Sequence, residues 1–153
     1  MIGIIYLLIV ASQGYGEINL TGNNNTIDPS KLLLPEVSSE GNNILLTWQD
    51  NSTGNQEIFL RKSTNGGISF ENTTNISNNT GLSSSPQIES FGNSTFVVWE
   101  DISTGNQEIF LRKSTWMDGD VGDIIDNTTN ISNNTGLSSS PQIESFGNST
   151  FVV

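Results

Sequence analysis

The side chains able to do chemistry in this chain are almost all carboxylates. Its 153 residues include 16 Asp+Glu against 5 Lys+Arg, with no His and no Cys. Without His it lacks the commonest general base near neutral pH and the commonest metal ligand. Without Cys it has no disulfide scaffold, thiol nucleophile or Cys-ligated zinc. A net charge of −11 also excludes nucleic-acid binding through phosphate neutralisation, which needs clustered Lys and Arg. The only tyrosines are Tyr6 and Tyr15, and the only arginines are Arg61 and Arg112. Asp118, Asp120 and Asp123 form one concentrated acidic loop. Oxygen-rich loops suit Ca²⁺, which takes about six to eight oxygen ligands, but this spacing completes no calcium motif. The loop reads as a solvated insertion, and no metal or cofactor is expected. Trp48 and Trp99 would stack on sugars if exposed, but each ends an apolar strand, so core packing is the preferred reading.

An internal repeat determines which elements position these residues. Residues 52–64 (STGNQEIFLRKST) recur unchanged as 103–115, an offset of 51, and residues 72–98 recur unchanged as 127–153, an offset of 55. The difference makes Trp116-Met117-Asp118-Gly119 an insertion. A more diverged copy precedes them: Pro35, Val37, Gly41, Asn42 and Trp48 match Pro86, Ile88, Gly92, Asn93 and Trp99. The domain reading is therefore a first unit over 35–85, a second over 86–140 and the start of a third over 141–153, after an N-terminal segment over 17–34.

Each unit carries the signals of short strands between turns. Residues 87–91 (QIESF) alternate polar and apolar before Gly92-Asn93 turns the chain. Residues 95–99 (TFVVW) are β-branched and aromatic, with apolar residues on both faces, as in a strand covered on both sides. Thr104-Gly105-Asn106 makes the next turn, and residues 108–112 (EIFLR) form a third strand. In the earlier copy Asn65-Gly66 follows, a hairpin signal whose type I′ geometry wants positive φ at both residues. A polar fourth strand is expected through 73–77, on an outer edge. Four strands in this repeat length match one β-propeller blade, whereas leucine-rich and helical repeats do not fit. The expected fold class is all-β: two tandem four-stranded antiparallel β-propeller-type blades plus the start of a third. Another β-array or a sandwich is the competing reading.

The segment Ser63-Thr64-Asn65-Gly66-Gly67-Ile68-Ser69-Phe70 resembles the Asp-box of the sialidase-like (bacterial neuraminidase) repeat, with Asn65 standing where that family usually has Asp. With the insertion removed, the second copy reads Ser114-Thr115, then Asp120-Val121-Gly122-Asp123-Ile124-Ile125. It restores the Asp and loses the final Ser and aromatic. The resemblance implies a structural turn between the third and fourth strands of a blade, built on Ser63, Asn65, Gly67 and Phe70 and on Ser114, Asp120 and Gly122. It also implies what an enzyme of this type would need: an arginine triad, a Tyr–Glu nucleophilic pair and an acid/base Asp. The chain lacks that set. Arg61 and Arg112 are repeat-equivalent and precede the box, and Glu57/Glu108 and Asp50/Asp101 recur by duplication, which points to structural roles. The expectation is a non-catalytic binding or scaffold module. The alternative is a fragment of a sialidase-like exo-glycosidase whose catalytic residues lie elsewhere.

The N-terminus bears on location. Residues 2–10 form an apolar run too short for a bilayer, which takes about 20 apolar residues, and Gly14-Tyr15-Gly16 has the small-x-small form of a cleavage site. Residues 1–16 therefore read as a signal peptide, with a buried strand as the competing reading. No membrane span is expected after its removal. Eleven Asn-x-Ser/Thr sequons, among them Asn51, Asn72, Asn75, Asn78 and Asn93, suit a secreted or cell-surface protein. The expected partner is a protein or carbohydrate ligand. Residues 141–153 repeat 86–98 without the strands that follow there, so the sequence also reads as a fragment of a longer propeller. Two units alone would leave Ile88, Phe96 and Val98 open to water and favour self-association.

Overall fold

A computed structural model describes residues 9–10, 15–16, 33–115, 127–146 and 149–153. All regular structure among them is β, in antiparallel pairs, and no described residue is helical. A first four-stranded sheet runs in the order β3 (Leu33–Glu40), β4 (Asn43–Asp50), β5 (Glu57–Ser63) and β6 (Thr74–Asn75). A second repeats it with β7 (Ser83–Phe91), β8 (Ser94–Asp101), β9 (Glu108–Thr115) and β10 (Thr129–Asn130). Two-stranded pairs flank these sheets in the sequence: β1 (Ile9–Val10) with β2 (Tyr15–Gly16), and β11 (Ile143–Phe146) with β12 (Ser149–Val152). The described strands do not close into a ring. The expected strands over 87–91, 95–99, 108–112 and 73–77 are all present, the last reduced to Thr74–Asn75. The leader, apart from β1 and β2, and the acidic loop with Asp118, Asp120, Gly122 and Asp123 lie outside the described residues.

The two sheets stack through chemically different faces. Leu45, Ile58 and Ile76 of the first unit meet Ile88, Val97, Trp99 and Phe110 of the second in one buried cluster, with Leu60 at its margin. The opposite face of the first sheet buries Leu46, Trp48 and Phe59 beneath Phe70. Both indoles are therefore core groups. Each pairs across strands with a Phe: Trp48 with Phe59 at 6.0 Å and Trp99 with Phe110 at 6.2 Å between ring centroids. Offset aromatic pairs of this kind add about 0.5–1.5 kcal/mol beyond the area they bury.

The expected exposure of Ile88 and Val98 is corrected by this packing. Both are buried, Ile88 within the cluster that the first sheet covers. Phe96 is half-buried, with the Lys113 ammonium 5.6 Å from its ring.

The sheets are clasped at Asp101, at the end of β8. Its Oδ2 accepts from Asn79 Nδ2 (2.8 Å), Ser83 Oγ (2.8 Å) and Trp99 Nε1 (3.0 Å), and its Oδ1 accepts from the Ser103 amide (2.8 Å). The Ile102 N–H donates to Leu82 O alongside (3.2 Å). The approach here needs Gly81, because a Cβ there would sit 2.5 Å from Ser103 N. Burial works against the Asp101 charge, but the hydrogen bonds from Ser103, Trp99 and Asn79 outweigh it and hold the carboxyl below its ordinary pKa.

Two measurements test this packing. Ile76 and Ile131 are repeat-equivalent, yet Ile76 is 1% exposed and Ile131 is 41% exposed. Ile76→Ala should cost about 2–5 kcal/mol in urea denaturation, and Ile131→Ala less than about 1 kcal/mol. A lowered folded-state pKa gives stability that is full above the unfolded Asp value of about 3.9 and is lost as pH falls from there toward the folded value. The melting temperature of the chain should therefore fall more steeply below about pH 4 than that of Asp101→Asn.

Candidate binding surface

The first strands of successive units lie side by side, β3 against β7 and β7 against β11. Each is entered through the same irregularity. Leu34, Ser85 and Ser140 adopt left-handed backbone, with φ of 48°, 53° and 56°, immediately before Pro35, Pro86 and Pro141. A residue before proline ordinarily stays extended, and a left-handed non-glycine costs about 1–2 kcal/mol. The pairing of β3 with β4 and of β7 with β8 shifts register there, between Leu33 and Glu36 and between Ser84 and Gln87. The preceding unit holds the joint: the Ser85 N–H donates to Gln49 Oε1 (2.9 Å) and the Ser140 N–H to Glu100 Oε1 (2.7 Å). Gln49 and Glu100 are themselves repeat-equivalent. Bulges of this kind re-aim the side chains that follow them.

Beyond the bulge the first strands carry a polar row. Gln87 Nε2 donates to Glu36 Oε1 of the neighbouring strand (3.0 Å) and to Pro86 O (3.1 Å), and Gln142 Nε2 donates to Pro141 O (2.9 Å). Two residues further on stand Ser38, Glu89 and Glu144. Burial raises the Glu89 pKa, the nearby Glu144 charge raises it again, and a hydrogen bond from the Ser145 backbone offsets part of the rise. The row offers amide donors and carboxylate acceptors at its surface, the groups that fix hydroxyl-bearing ligands.

The other carboxylates that could do chemistry are committed to loops. Glu57 accepts from Asn55 Nδ2 (2.9 Å), the Asn79 amide (3.2 Å) and the Ser77 hydroxyl, and that hydroxyl accepts the Ile58 N–H (2.9 Å). Glu108 repeats the arrangement with Asn106 Nδ2 (2.8 Å), the Asn134 amide (3.0 Å) and the Ser132 hydroxyl. The Ser132 hydrogen bond is the main reason the Glu108 carboxyl lies below its ordinary pKa, with Asn106 and Asn134 adding to it against a smaller burial effect. Arg61 turns onto its own unit, its Nε donating to Glu71 O (2.8 Å), whereas Arg112 crosses to donate to Ile76 O of the first. Burial lowers the pKa of both guanidinium groups.

The box residues come together as a closed turn. Ser63 Oγ accepts the Gly67 N–H (2.9 Å) and donates to Asn65 Oδ1 (3.0 Å), which also accepts the Ser69 N–H (2.9 Å). Phe70 packs beneath, against the Trp48 cluster. The expected type I′ pattern at Asn65-Gly66 is corrected: the positive φ values fall on Gly66 (70°) and Gly67 (85°), not on Asn65. The chain turns one residue later because Asn65 uses its side chain, not its backbone, to hold the bend. In the second copy Ser114 is buried near the end of β9, and the matching positions Asp120 and Gly122 lie outside the described residues. Among the sequons, Asn51, Asn72, Asn78 and Asn93 are exposed. Asn75 is half-buried and accepts the Asn78 N–H (2.9 Å), while its sequon hydroxyl, Ser77, is held by Glu57.

Sequence reasoning missed the joints at Ser85 and Ser140 and the Glu89–Glu144 neighbourhood. Signals for both exist: a Ser-Pro pair at each unit boundary, a Gln or Glu directly after each repeated Trp, and the polar positions of the alternating strand. Among the described residues no cluster of Asp and Glu is arranged to hold a metal ion.

If the Glu89 charge opposes folding at neutral pH, removing it should stabilise. A carboxylate with a raised folded-state pKa loses stability as pH rises through its unfolded value toward the folded one. Glu89→Gln should therefore raise the melting temperature at about pH 7 and leave it unchanged at about pH 3, where both side chains are neutral. Equal shifts at both pH values would assign the effect to packing. In the box, Asn65→Ala should cost roughly 0.5–2 kcal/mol in chemical denaturation, as does loss of a capping side chain. Comparison of the chain with protein-family models, curated proteins and solved structures finds no match.

Proposed function

We propose that this chain is a non-catalytic β-propeller-type repeat segment, secreted or displayed at the cell surface, that serves as a binding or scaffold module. In this reading each four-stranded sheet is a blade, β11 and β12 open a third, and the Asp-box turn is structural. The observation that carries it is a division of labour between equivalent positions. Glu57 and Glu108, which hold the loops, keep their type and their bonds from unit to unit, and Gln49 and Glu100 keep the same bond through Oε1. The first-strand row instead differs between the first unit and the two that follow, with Glu36 against Gln87 and Gln142 at one level and Ser38 against Glu89 and Glu144 at the next. A framework kept constant beneath a varied polar surface supports ligand binding more than catalysis.

The amide and carboxylate groups of that row favour a carbohydrate or a polar protein surface as ligand. Self-association through exposed apolar residues such as Phe146 and Phe151 belongs to the same reading. The leader pattern and the sequons support an outside location.

A glycan array probed with the labelled chain tests this reading. Binding should occur and should be lost in Gln87→Ala while the melting temperature is retained. A signal that survives both Gln87→Ala and Glu36→Ala would move the ligand site off the first strands. Incubation with a fluorogenic sialoside should give no turnover, and measurable cleavage would replace the binding reading with a glycosidase one.

A further inference from the structure

The chain contains a single Asn-Gly pair, Asn65-Gly66, and the box turn places it at its tip. Glycine offers no side chain to hinder attack by its own backbone nitrogen on the preceding Asn. In that reaction the Gly66 nitrogen bonds to Asn65 Cγ, the bond from Cγ to Nδ2 breaks, and ammonia leaves a five-membered succinimide. Water then opens the ring at either carbonyl to give aspartate or isoaspartate. We propose that Asn65 is a self-modification site gated by the turn: the closed turn suppresses the reaction, and it accepts the aspartate product without rebuilding.

Every atom the reaction needs is tied in the closed turn. The attacking Gly66 nitrogen has its N–H donated to Asn42 O (2.8 Å). The departing Nδ2 donates to Ser69 Oγ (2.8 Å), and Oδ1 accepts from Ser69 N (2.9 Å) and Ser63 Oγ (3.0 Å). Swinging Cγ toward Gly66 requires these bonds to open together, so the rate follows the population of the opened turn.

The two products fare differently when the turn recloses. In aspartate an oxygen replaces Nδ2, and the Ser69 hydroxyl rotates its hydrogen to donate where it had accepted. All three side-chain contacts survive, now around a charge, which strengthens them, and the Gly66 N–H keeps Asn42 O. Isoaspartate inserts an extra backbone carbon between Asn65 and Gly66. That displaces the Gly66 N–H from Asn42 and the positive φ values of Gly66 and Gly67 from the bend they close. The turn therefore retains the aspartate form and rejects the isoaspartate form. The aligned position of the second unit is already an aspartate, Asp120.

The test compares the full chain with the free peptide of residues 62–71 in mildly alkaline buffer at body temperature. Proteolysis and mass spectrometry locate the gain of about one mass unit, and chromatography separates the two products. Deamidation at Asn65 should be at least about tenfold slower in the chain than in the peptide, and should approach the peptide rate in urea. Equal rates in a chain whose circular dichroism shows β-structure would overturn the gate. Asn65→Asp should keep or raise the melting temperature of the unmodified chain, and a lower value would overturn the claim that the turn accepts the product.

Discussion

The arrangement of the two sheets hangs on one buried carboxylate. Asp101 gathers the Trp99 indole, the Asn79 amide, the Ser83 hydroxyl and the Ser103 backbone at the point where the second sheet meets the loop leaving the first. An unpaired charge at such depth would cost several kcal/mol, so the carboxylate is tolerated only while all of these donors converge. That convergence fixes the indole over Phe110 and fixes the loop through Gly81 against the turn at Ser103. The apolar contact between Leu45, Ile58 and Ile76 on one side and Val97 and Trp99 on the other is set by the same constraint.

Duplication gives this molecule an internal control on the effect of environment. Arg61 and Arg112 sit in the same sequence, STGNQEIFLRKST; Arg61 donates to the Phe70 and Glu71 carbonyls of its own unit, and Arg112 donates to Ile76 O of the neighbouring sheet. Glu57 and Glu108, in contrast, repeat their partners almost atom for atom. Interactions closed within a single unit are copied with it. Interactions that cross between units depend on what stands next door, as the burial of Ile76 and the exposure of its equivalent Ile131 show.

The same distinction explains what the sequence could reveal. The strands were legible because alternation and β-branched runs are local, and their number per unit because the repeat spells it out. The deep burial of Trp48 and Trp99 followed from their place at the end of apolar strands. The shielding of Ile88 and Val98 did not, since it depends on how β7 is flanked by neighbouring units. The Asn65-Gly66 bend was placed one residue early because turn propensity counts backbone preferences, whereas the side chain of Asn65 carries the geometry here. The polar row on the first strands was visible only as scattered Glu and Gln until the strands were set beside one another. Nothing local in Glu89 announces Glu144 as its neighbour.

The left-handed joints before each proline impose a direction on assembly. Ser85 and Ser140 stand immediately before the proline that opens the next unit, and the oxygen that stabilises each bend lies in the unit being left, on Gln49 or Glu100. The acceptor thus precedes in the chain the donor it must capture. Each sheet supplies the oxygen that makes an otherwise unfavourable backbone acceptable at the entry to the next, so this dependence runs from the N-terminal unit toward the C-terminus. In the opposite direction the second unit contributes the Asp101 oxygen to the first, at Asn79. A lesion in β4 that removed the Gln49 oxygen would therefore be felt in β7, at the bend it holds.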